Sequence, residues 1–273
     1  MPLTSTAMVH EVRVSDREQL APGVILLGFD APRLAPVTKP GQFVMAIPPA
    51  GERAATALGI YEAQDERASI LFFVCGPRTR ELEMLREGDR FAVTGPLGNG
   101  FTLGDARDVA IVAGGVGIAS VLLAAQAAVL SGKRVRLFYG ARTAQLLVEE
   151  GRFEREGCEI HVATDDGSRG HAGFITEALA CVPDKPDLIL ACGPSPMLRA
   201  TAFVAAAMGI PAQLSLEETF ACGVGGCWGC TVPLARSSAQ APGFPDVAAG
   251  GSEVVNARIC KEGPVFWAHE LRW

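Results

Sequence analysis

Short runs of alternating apolar and polar residues dominate the first hundred positions of the chain. Pro-Gly or Gly-Pro pairs separate most of these runs, which cover residues 8–14, 24–29, 42–47, 68–74 and 90–94. Because successive side chains of a strand point to opposite faces, this pattern predicts strands that each bury one face. Several short strands at this spacing indicate a sandwich or a barrel. One helix is predicted to interrupt them near residues 80–86.

From about residue 105, apolar runs alternate with segments of helical character. Strands are predicted over residues 109–113, 135–139, 159–164 and 188–192. Each is followed by a predicted helix, the first ending near residue 130 and the others covering 146–156, 173–180 and 195–208. Strand and helix in alternation predict a parallel sheet with helices on both faces. We therefore expect an α+β multidomain protein, with an N-terminal antiparallel β-barrel at residues 1–103 and an α/β nucleotide-binding domain at residues 104–212.

One uncharged stretch, residues 109–130, is long enough to raise a transmembrane interpretation. Gly114, Gly115 and Gly117 interrupt it, so a buried strand, a glycine turn and a helix of small residues explain it better. The N-terminus has neither the basic region nor the long apolar region of a signal peptide. We expect no membrane span and a cytoplasmic location, where thiols stay reduced and clustered cysteines favour metal or redox chemistry.

The charge balance narrows the classes of partner. The 273 residues include 24 Lys and Arg against 30 Asp and Glu, which gives a net charge of −6. Without a basic excess, nucleic-acid binding is not expected as the main function. The 8 cysteines are too sparse for a disulfide scaffold, so their spacing carries the information.

The cysteine spacing near the C-terminus predicts an iron–sulfur site. Cys222, Cys227 and Cys230 form the pattern C-x4-C-x2-C, and Cys260 follows after 29 intervening residues. This is the plant-type [2Fe–2S] spacing, and the glycines between the cysteines let backbone N–H groups point at the cluster. Structural zinc, which more often uses two C-x2-C pairs, and buried inert cysteines stay open as alternatives. We therefore expect a C-terminal [2Fe–2S] module at residues 213–273, with an irregular loop over 233–252.

Two turns in the α/β region could border a nucleotide. Gly114, Gly115 and Gly117 link a strand to a helix, whose N-terminus offers free N–H groups to a phosphate. No Lys-Ser/Thr pair follows, so this is not a P-loop, and tight packing of strand against helix would also select glycine. The run Cys192-Gly193-Pro194 ends the last strand, at the edge where open α/β sheets bind ligands. A strand-ending turn with a cysteine that only fills space explains this run equally well.

The order of these regions and several local motifs resemble the electron-transfer subunits of class 1B dihydroorotate dehydrogenase, within the ferredoxin–NADP reductase-like family. The resemblance covers nearly the whole chain. Its most specific motifs are the cysteine loop and the segment 260–266, Cys-Lys-Glu-Gly-Pro-Val-Phe; others lie at 95–101, 113–119, 164–168, 191–194 and 215–217. It implies an FAD-binding barrel, an NAD(P)-binding α/β domain and a [2Fe–2S] module. The implied function is an oxidoreductase subunit of pyrimidine biosynthesis.

The resemblance also assigns site residues. It places FAD at Thr56, Ala57, Leu58, Gly59, Phe72, Phe73, Val74, Arg78 and Thr79. It places the nicotinamide nucleotide at Gly114, Gly115, Gly117, Cys192, Gly193 and Pro194, and the cluster on Cys222, Cys227, Cys230 and Cys260. The implied partner is an FMN-containing catalytic subunit in a hetero-oligomer. Hydride transfer from NAD(P)H to FAD needs no protein acid or base, so no catalytic side chain is expected.

The chain departs from the family pattern in the predicted FAD strand. The family usually has an Arg-Pro-x-Ser run there, whose Arg reaches the flavin diphosphate, whereas this chain has Thr56-Ala57-Leu58-Gly59. A lost charge-assisted hydrogen bond costs about one to two powers of ten in affinity, which leaves weak, rearranged or absent FAD binding open. Arg53 is near in sequence, but strand alternation leaves its role undecided. Ser120 stands where the family commonly has Pro.

Two alternative functions follow from this departure. With FAD absent, the chain would be a cluster-only electron conduit or docking module. It could also be a subunit of another NAD(P)H-linked complex, of the sulfide dehydrogenase or ferredoxin:NADP oxidoreductase type.

Overall fold

A computed structural model describes residues 8–49, 54–235 and 254–272. Six strands of the N-terminal half close into a barrel in the order β1-β2-β5-β4-β3-β6, with every neighbouring pair antiparallel. The strands are β1 (Val9–Ala21), β2 (Val24–Asp30), β3 (Phe43–Ile47), β4 (Thr56–Gln64), β5 (Arg67–Phe73) and β6 (Arg90–Leu97). Helix α1 (Pro77–Glu83) connects β5 to β6. The predicted antiparallel barrel is confirmed.

The barrel is held by its interior side chains. Val14, Phe29, Ile60 and Phe72 are almost fully buried and belong to one apolar cluster. The rings of Phe29 and Phe91 meet edge to face, with centroids 5.4 Å apart. Burial of large side chains removes apolar surface from water, which is the main force that closes so small a barrel.

The second half of the chain forms a seven-stranded sheet in the order β10-β9-β8-β7-β11-β12-β15. Its strands are β7 (Asp108–Gly114), β8 (Arg134–Ala141), β9 (Glu159–Thr164), β10 (His171–Ala172), β11 (Leu188–Cys192), β12 (Ala212–Ser215) and β15 (Val265–Trp267). All neighbours are parallel except β12 and β15, which pair antiparallel. Four helices accompany the sheet: α2 (Leu122–Leu130), α3 (Glu150–Arg155), α4 (Ile175–Ala180) and α5 (Ser195–Met208).

The central strands of this sheet are buried on both faces, as their continuous apolar runs predict. Ala110 and Val112 of β7 face a cluster that includes residues of α4 and α5. Val109 and Ile111 face the opposite cluster, which contains residues of α2, α3 and the barrel. The parallel nucleotide-binding fold with helices on both faces is therefore confirmed, and one face of the sheet rests against the barrel.

The uncharged stretch over residues 109–130 divides into β7, a 3₁₀ helix (Gly115–Ser120) and α2. Across the part of the chain that the structure describes, no helix combines the length and apolarity that a membrane span requires. The glycine turn thus leads first into a tight 3₁₀ segment, and the α-helix predicted to follow it begins only at Leu122.

Several predicted boundaries were wrong. Helix α1 begins at Pro77, before the predicted residue 80, because proline fits the first turn of a helix. Helix α3 begins at Glu150, since Ala144–Leu146 forms a separate 3₁₀ turn. Strand β4 (Thr56–Gln64) was absent from the periodic runs, and only the resemblance placed a strand at residues 56–59.

The chain after β12 forms the cysteine loop, a two-stranded sheet and a return to the nucleotide sheet. Strand β13 (Thr231–Ala235) pairs antiparallel with β14 (Val254–Arg258), so the first residues of the predicted irregular loop are in fact a strand. The rest of that predicted loop, residues 236–252, lies outside the described residues. Strand β15 then pairs with β12, which anchors both ends of this segment on the sheet edge.

Candidate functional site

A cavity of about 650 Å³ opens at the carboxyl ends of the parallel strands. Its lining includes Gly114 at the end of β7, Gly140 of β8, Asp165 after β9 and Pro194 after β11. Strand order reverses at β7, which lies between β8 and β11. Open α/β sheets bind their ligands at such a reversal point, so the cavity lies where the sequence predicts a nucleotide.

The barrel contributes the opposite wall of this cavity. Pro22, Val24 and Phe73 line it from the barrel side. Phe73 is the last residue of β5 and pairs in register with Val24 of β2. Phe73 is 44% exposed, whereas most large apolar side chains of the barrel are buried. A ligand in the cavity would therefore contact both the sheet and the barrel.

The six residues predicted for the nicotinamide nucleotide divide into two groups. Gly114, Gly115 and Pro194 line the cavity. Gly117, Cys192 and Gly193 pack against one another beside it: a Cβ added at Gly117 would lie 2.3 Å from the Cys192 carbonyl oxygen and 2.8 Å from the Gly193 Cα. These three residues support the turn that the first group presents.

Glu217 lines the same cavity, and the sequence analysis did not assign it. The Cys192 thiol donates a 3.6 Å hydrogen bond to its carboxylate. Burial raises the pKa of Cys192, and the charge of Glu217 raises it further. Burial also raises the pKa of Glu217, against the opposing hydrogen bond from Cys192. The thiol therefore stays protonated and is no nucleophile; the only sequence signal for Glu217 was its place in the matching segment 215–217.

The residues predicted for FAD lie along one rim of the barrel. Thr56, Ala57, Leu58 and Gly59 form the first half of β4, and each is half-buried. Phe72 of the neighbouring β5 lies in the barrel core and could offer a cofactor only its backbone. Phe73 and Val74 lie at the open end of β5, where Phe73 reaches the cavity.

Helix α1 brings Arg78 and Thr79 to the same rim. Arg78 donates a 2.6 Å hydrogen bond from Nη1 to the carbonyl of Ala55, the residue before β4. The Thr79 hydroxyl accepts hydrogen bonds from the backbone N–H groups of Cys75 and Gly76, so it holds the turn that begins α1. The structure thus brings β4, the end of β5 and the start of α1 together. Arg53 lies outside the described residues.

The four predicted cluster cysteines lie as two pairs, and all are free thiols. Cys222 and Cys227 share a side-chain hydrogen bond, as do Cys230 and Cys260. Two irons that each bind two thiolates require such paired donors. Within the described residues, no three His, Cys, Asp or Glu side chains form a group suited to hold a metal ion. The donor set and its pairing nevertheless fit a two-iron cluster.

Backbone N–H groups of the loop point at the sulfurs. Burial raises the pKa of Cys222, but hydrogen bonds from the backbone of Cys227, Val224 and Gly226 and from the Cys227 thiol outweigh it, and the pKa falls to about 6. These bonds favour the thiolate, which is the form that binds iron. Cys260 accepts one from the Gly225 backbone, although burial and then Cys230 raise its pKa.

Arg258 supports the loop, and the sequence analysis missed it. Its guanidinium donates a 2.8 Å hydrogen bond to the carbonyl of Gly225 and lies 4.4 Å from the centroid of the Trp228 ring. Its charge is balanced by Glu262, with which it forms an ion pair. Trp228 itself has a positive φ of 59° and is 49% exposed. Arg258 thus fixes a loop that presents Trp228 to solvent.

The cysteine loop packs directly on the barrel. Gly223 has a φ of +68°, and a Cβ added there would lie 2.4 Å from Cγ of Met45. Met45 belongs to β3 and pairs in register with Ala57 of β4. Beside this contact the rings of Phe43 and Phe220 lie 5.1 Å apart. The predicted cluster is therefore separated from the predicted FAD strand by a single strand.

Known proteins resemble this chain in sequence. The profile of the oxidoreductase NAD-binding domain family matches residues 111–202. A dihydroorotate dehydrogenase B (NAD(+)) electron transfer subunit of Caldanaerobacter subterraneus subsp. tengcongensis is 33% identical over 261 residues, which cover 96% of this chain and 97% of the relative. A probable subunit of the same description from Methanothermobacter thermautotrophicus is 36% identical, over 85% of this chain and 79% of the relative.

Solved structures share the fold. An NADH-dependent reduced ferredoxin–NADP oxidoreductase, studied for flavin-based electron bifurcation, superimposes with a TM-score of 0.83 at 26% identity, over 99% of this chain and 92% of that chain. A ferredoxin reductase of carbazole 1,9a-dioxygenase superimposes with a TM-score of 0.65 at 22% identity, over 74% of this chain and 66% of that chain. At this identity, the match to the ferredoxin reductase shows a similarity of fold alone.

Proposed function

The chain belongs to the family of dihydroorotate dehydrogenase B electron-transfer subunits, and from this premise we propose that it passes electrons between NAD(P)H and a flavin-containing catalytic partner through FAD and a [2Fe–2S] cluster. One observation carries the proposal. The cavity at the strand ends is lined by Phe73, one of the residues assigned to FAD, and the cysteine loop contacts Met45 of β3, the strand beside β4, so the three predicted sites follow in that order. This order suits a relay from nucleotide to cluster.

The residues of the site fit each group. Gly114, Gly115 and Pro194 would border the nicotinamide nucleotide, and Thr56–Gly59 with Phe73 and Arg78 would border FAD. Cys222, Cys227, Cys230 and Cys260 would hold the cluster. FAD held there would supply the conversion of a two-electron hydride transfer into single-electron steps, which suits a cluster that carries one electron at a time.

The chain's own side chains position these groups and take no part in proton transfer. The glycines of the turn after β7 let a ligand approach the backbone closely. Cys192 holds its proton beside Glu217, so no thiolate is presented to the nucleotide. Phe73 closes the cavity from the barrel side. We therefore assign no catalytic acid or base.

The proposed partner is an FMN-containing subunit that oxidises dihydroorotate, in a hetero-oligomer. The relatives are named as electron-transfer subunits, a term that implies a second subunit. Val224 and Trp228 of the cysteine loop are 45% and 49% exposed, and exposed apolar groups beside an electron carrier suit docking. A cytoplasmic location keeps the cluster thiols reduced before iron binds.

An anaerobic visible absorption spectrum of the purified chain, recorded before and after NADH, tests the proposal. We expect bands of flavin and of a ferric cluster, both bleached by NADH. Cluster bands without flavin, unchanged by NADH, would contradict it and favour a cluster-only conduit. Addition of the partner's FMN subunit and dihydroorotate should then reduce NAD⁺, which tests the partner separately.

A second function is favoured by the structural match. The ferredoxin–NADP oxidoreductase covers 99% of this chain with a TM-score of 0.83. A subunit of such an NAD(P)H-linked complex would use the same relay with a different acceptor. Reduced ferredoxin in place of dihydroorotate distinguishes the two: electron transfer to NAD(P)⁺ from ferredoxin alone would select this second function.

A further inference from the structure

Two chemical groups that the family places in its FAD strand are missing from β4. The run Thr56-Ala57-Leu58-Gly59 has neither the cation nor the serine hydroxyl of the Arg-Pro-x-Ser pattern. A hydroxyl and a guanidinium nevertheless reach this part of β4 from elsewhere in the fold. The residues that supply them, Ser120 and Arg78, come from the 3₁₀ helix after β7 and from α1.

Ser120 brings a hydroxyl to Gly59. A Cβ added at Gly59 would lie 2.3 Å from Oγ of Ser120, so this oxygen occupies the space that a side chain at position 59 would fill. Ser120 ends the 3₁₀ helix of the nucleotide domain, and its hydroxyl also hydrogen-bonds the Cys192 thiol. The hydroxyl therefore lies at the junction of the predicted FAD and nicotinamide sites.

Arg78 brings a guanidinium to the start of β4. Its Nη1 binds the Ala55 carbonyl, which directly precedes Thr56. Among the described residues this is its one hydrogen bond, and none of their carboxylates pairs with it. A guanidinium carries five donors in a planar fork that matches phosphate oxygens. Four of these donors bind nothing among the described residues and are available to an anion.

We propose that Arg78 and Ser120 replace the two missing groups, so that Arg78 binds the diphosphate of FAD and Ser120 supplies the hydroxyl at β4. The inference rests on the proposed function, because it assumes that FAD occupies the barrel rim. It explains how the chain can bind FAD without the Arg-Pro-x-Ser run. It also explains why residue 59 is glycine when residue 120 is serine, because a side chain at position 59 would clash with the Ser120 hydroxyl.

The test is the dissociation constant of FAD, measured by fluorescence quenching as FAD is returned to the deflavinated full chain. Loss of a charge-assisted hydrogen bond predicts about ten- to hundredfold weaker binding for Arg78→Ala. Loss of a neutral hydroxyl predicts about three- to tenfold for Ser120→Ala. Arg80→Ala on the same helix and Ser131→Ala after α2, both exposed, are the controls and should bind FAD as the wild type does.

Two double variants separate replacement from mere packing. Thr56→Arg in the Arg78→Ala background should restore the affinity, because it returns the cation to β4. Gly59→Ser should weaken binding alone, through its contact with Ser120, and restore it when combined with Ser120→Ala. The iron content of each variant reports whether the chain is folded. If a single variant is unstable, the double variants still test the proposal.

The outcomes distinguish the two proposals. Wild-type affinity in Arg78→Ala and Ser120→Ala, or double variants no better than the singles, would overturn the replacement while leaving the relay intact. A wild-type chain that binds no FAD at any concentration would overturn the proposed relay itself. Weakened single variants with rescue in both double variants are the expected result.

Discussion

The phenol of Tyr61 donates a 2.6 Å hydrogen bond to a carboxylate oxygen of Glu149. Tyr61 belongs to β4 of the barrel, and Glu149 precedes α3 of the nucleotide domain with a positive φ of 61°. The neighbouring Glu62 forms an ion pair with Arg152 of α3. These contacts join the two domains through β4, the strand that would border FAD.

Replacing Tyr61 by Phe should destabilise the chain. The variant removes a hydrogen bond to a charged group, a type that contributes about 1.5–3 kcal/mol. Urea unfolding at neutral pH measures the loss. Tyr139→Phe is the matched control, because its hydroxyl makes only neutral bonds of 3.3 Å and 3.4 Å to the backbone, for which about 0.5–1.5 kcal/mol is expected. Equal losses in the two variants would contradict the assignment.

The same residue predicts a loss of stability in alkali. Burial, followed by the hydrogen bond and charge of Glu149, raises the pKa of Tyr61 above its ordinary value of 10.0. A group with a raised folded pKa stabilises the chain below its unfolded pKa and loses that contribution as the pH rises. The unfolding free energy should therefore fall above about pH 10, and less steeply in Tyr61→Phe. Urea titrations between about pH 8 and 11 measure this slope; an unchanged slope would refute it.

The contact between Gly223 and Met45 predicts a matched pair of glycine variants. Gly223→Ala forces a side chain into a left-handed conformation, at about 1–2 kcal/mol, and against Met45. We expect less iron per chain and a slower return of the cluster after reconstitution. Gly226→Ala is the control, because nothing lies within 4 Å of an added Cβ there. Met45→Ala should partly rescue Gly223→Ala, and the absence of rescue would place the strain elsewhere.

Replacing Cys227 by Ser tests the ligand assignment. The variant removes one thiolate of the pair formed with Cys222, so the cluster should be lost together with its visible bands. Cys181→Ser, at an exposed cysteine after α4, should retain them. Iron and sulfide analysis gives the result, and unchanged iron in Cys227→Ser would remove Cys227 from the ligand set.

Much of the fold follows from local patterns. Alternating polarity over residues 90–94 predicts β6, and the apolar runs over 24–29 and 188–192 coincide with β2 (Val24–Asp30) and β11 (Leu188–Cys192). The cysteine spacing predicts a ligand set that the fold brings together in pairs. The strand predictions succeed because burial of a strand face depends on neighbours in sequence, whereas the cluster ligand set stays a prediction.

Only the tertiary structure decided how distant segments meet. Ser120 fills the space above Gly59, Arg78 reaches the residue before Thr56, and Cys192 pairs with Glu217, although no sequence spacing relates these partners. Read alone, the run at residues 56–59 indicates a lost cation and hydroxyl. The sequence determined which groups are missing from β4. The closed barrel and its packing on the sheet decided that Ser120 and Arg78 lie beside this strand. Side chains far apart in sequence become neighbours only when strands pair and domains pack.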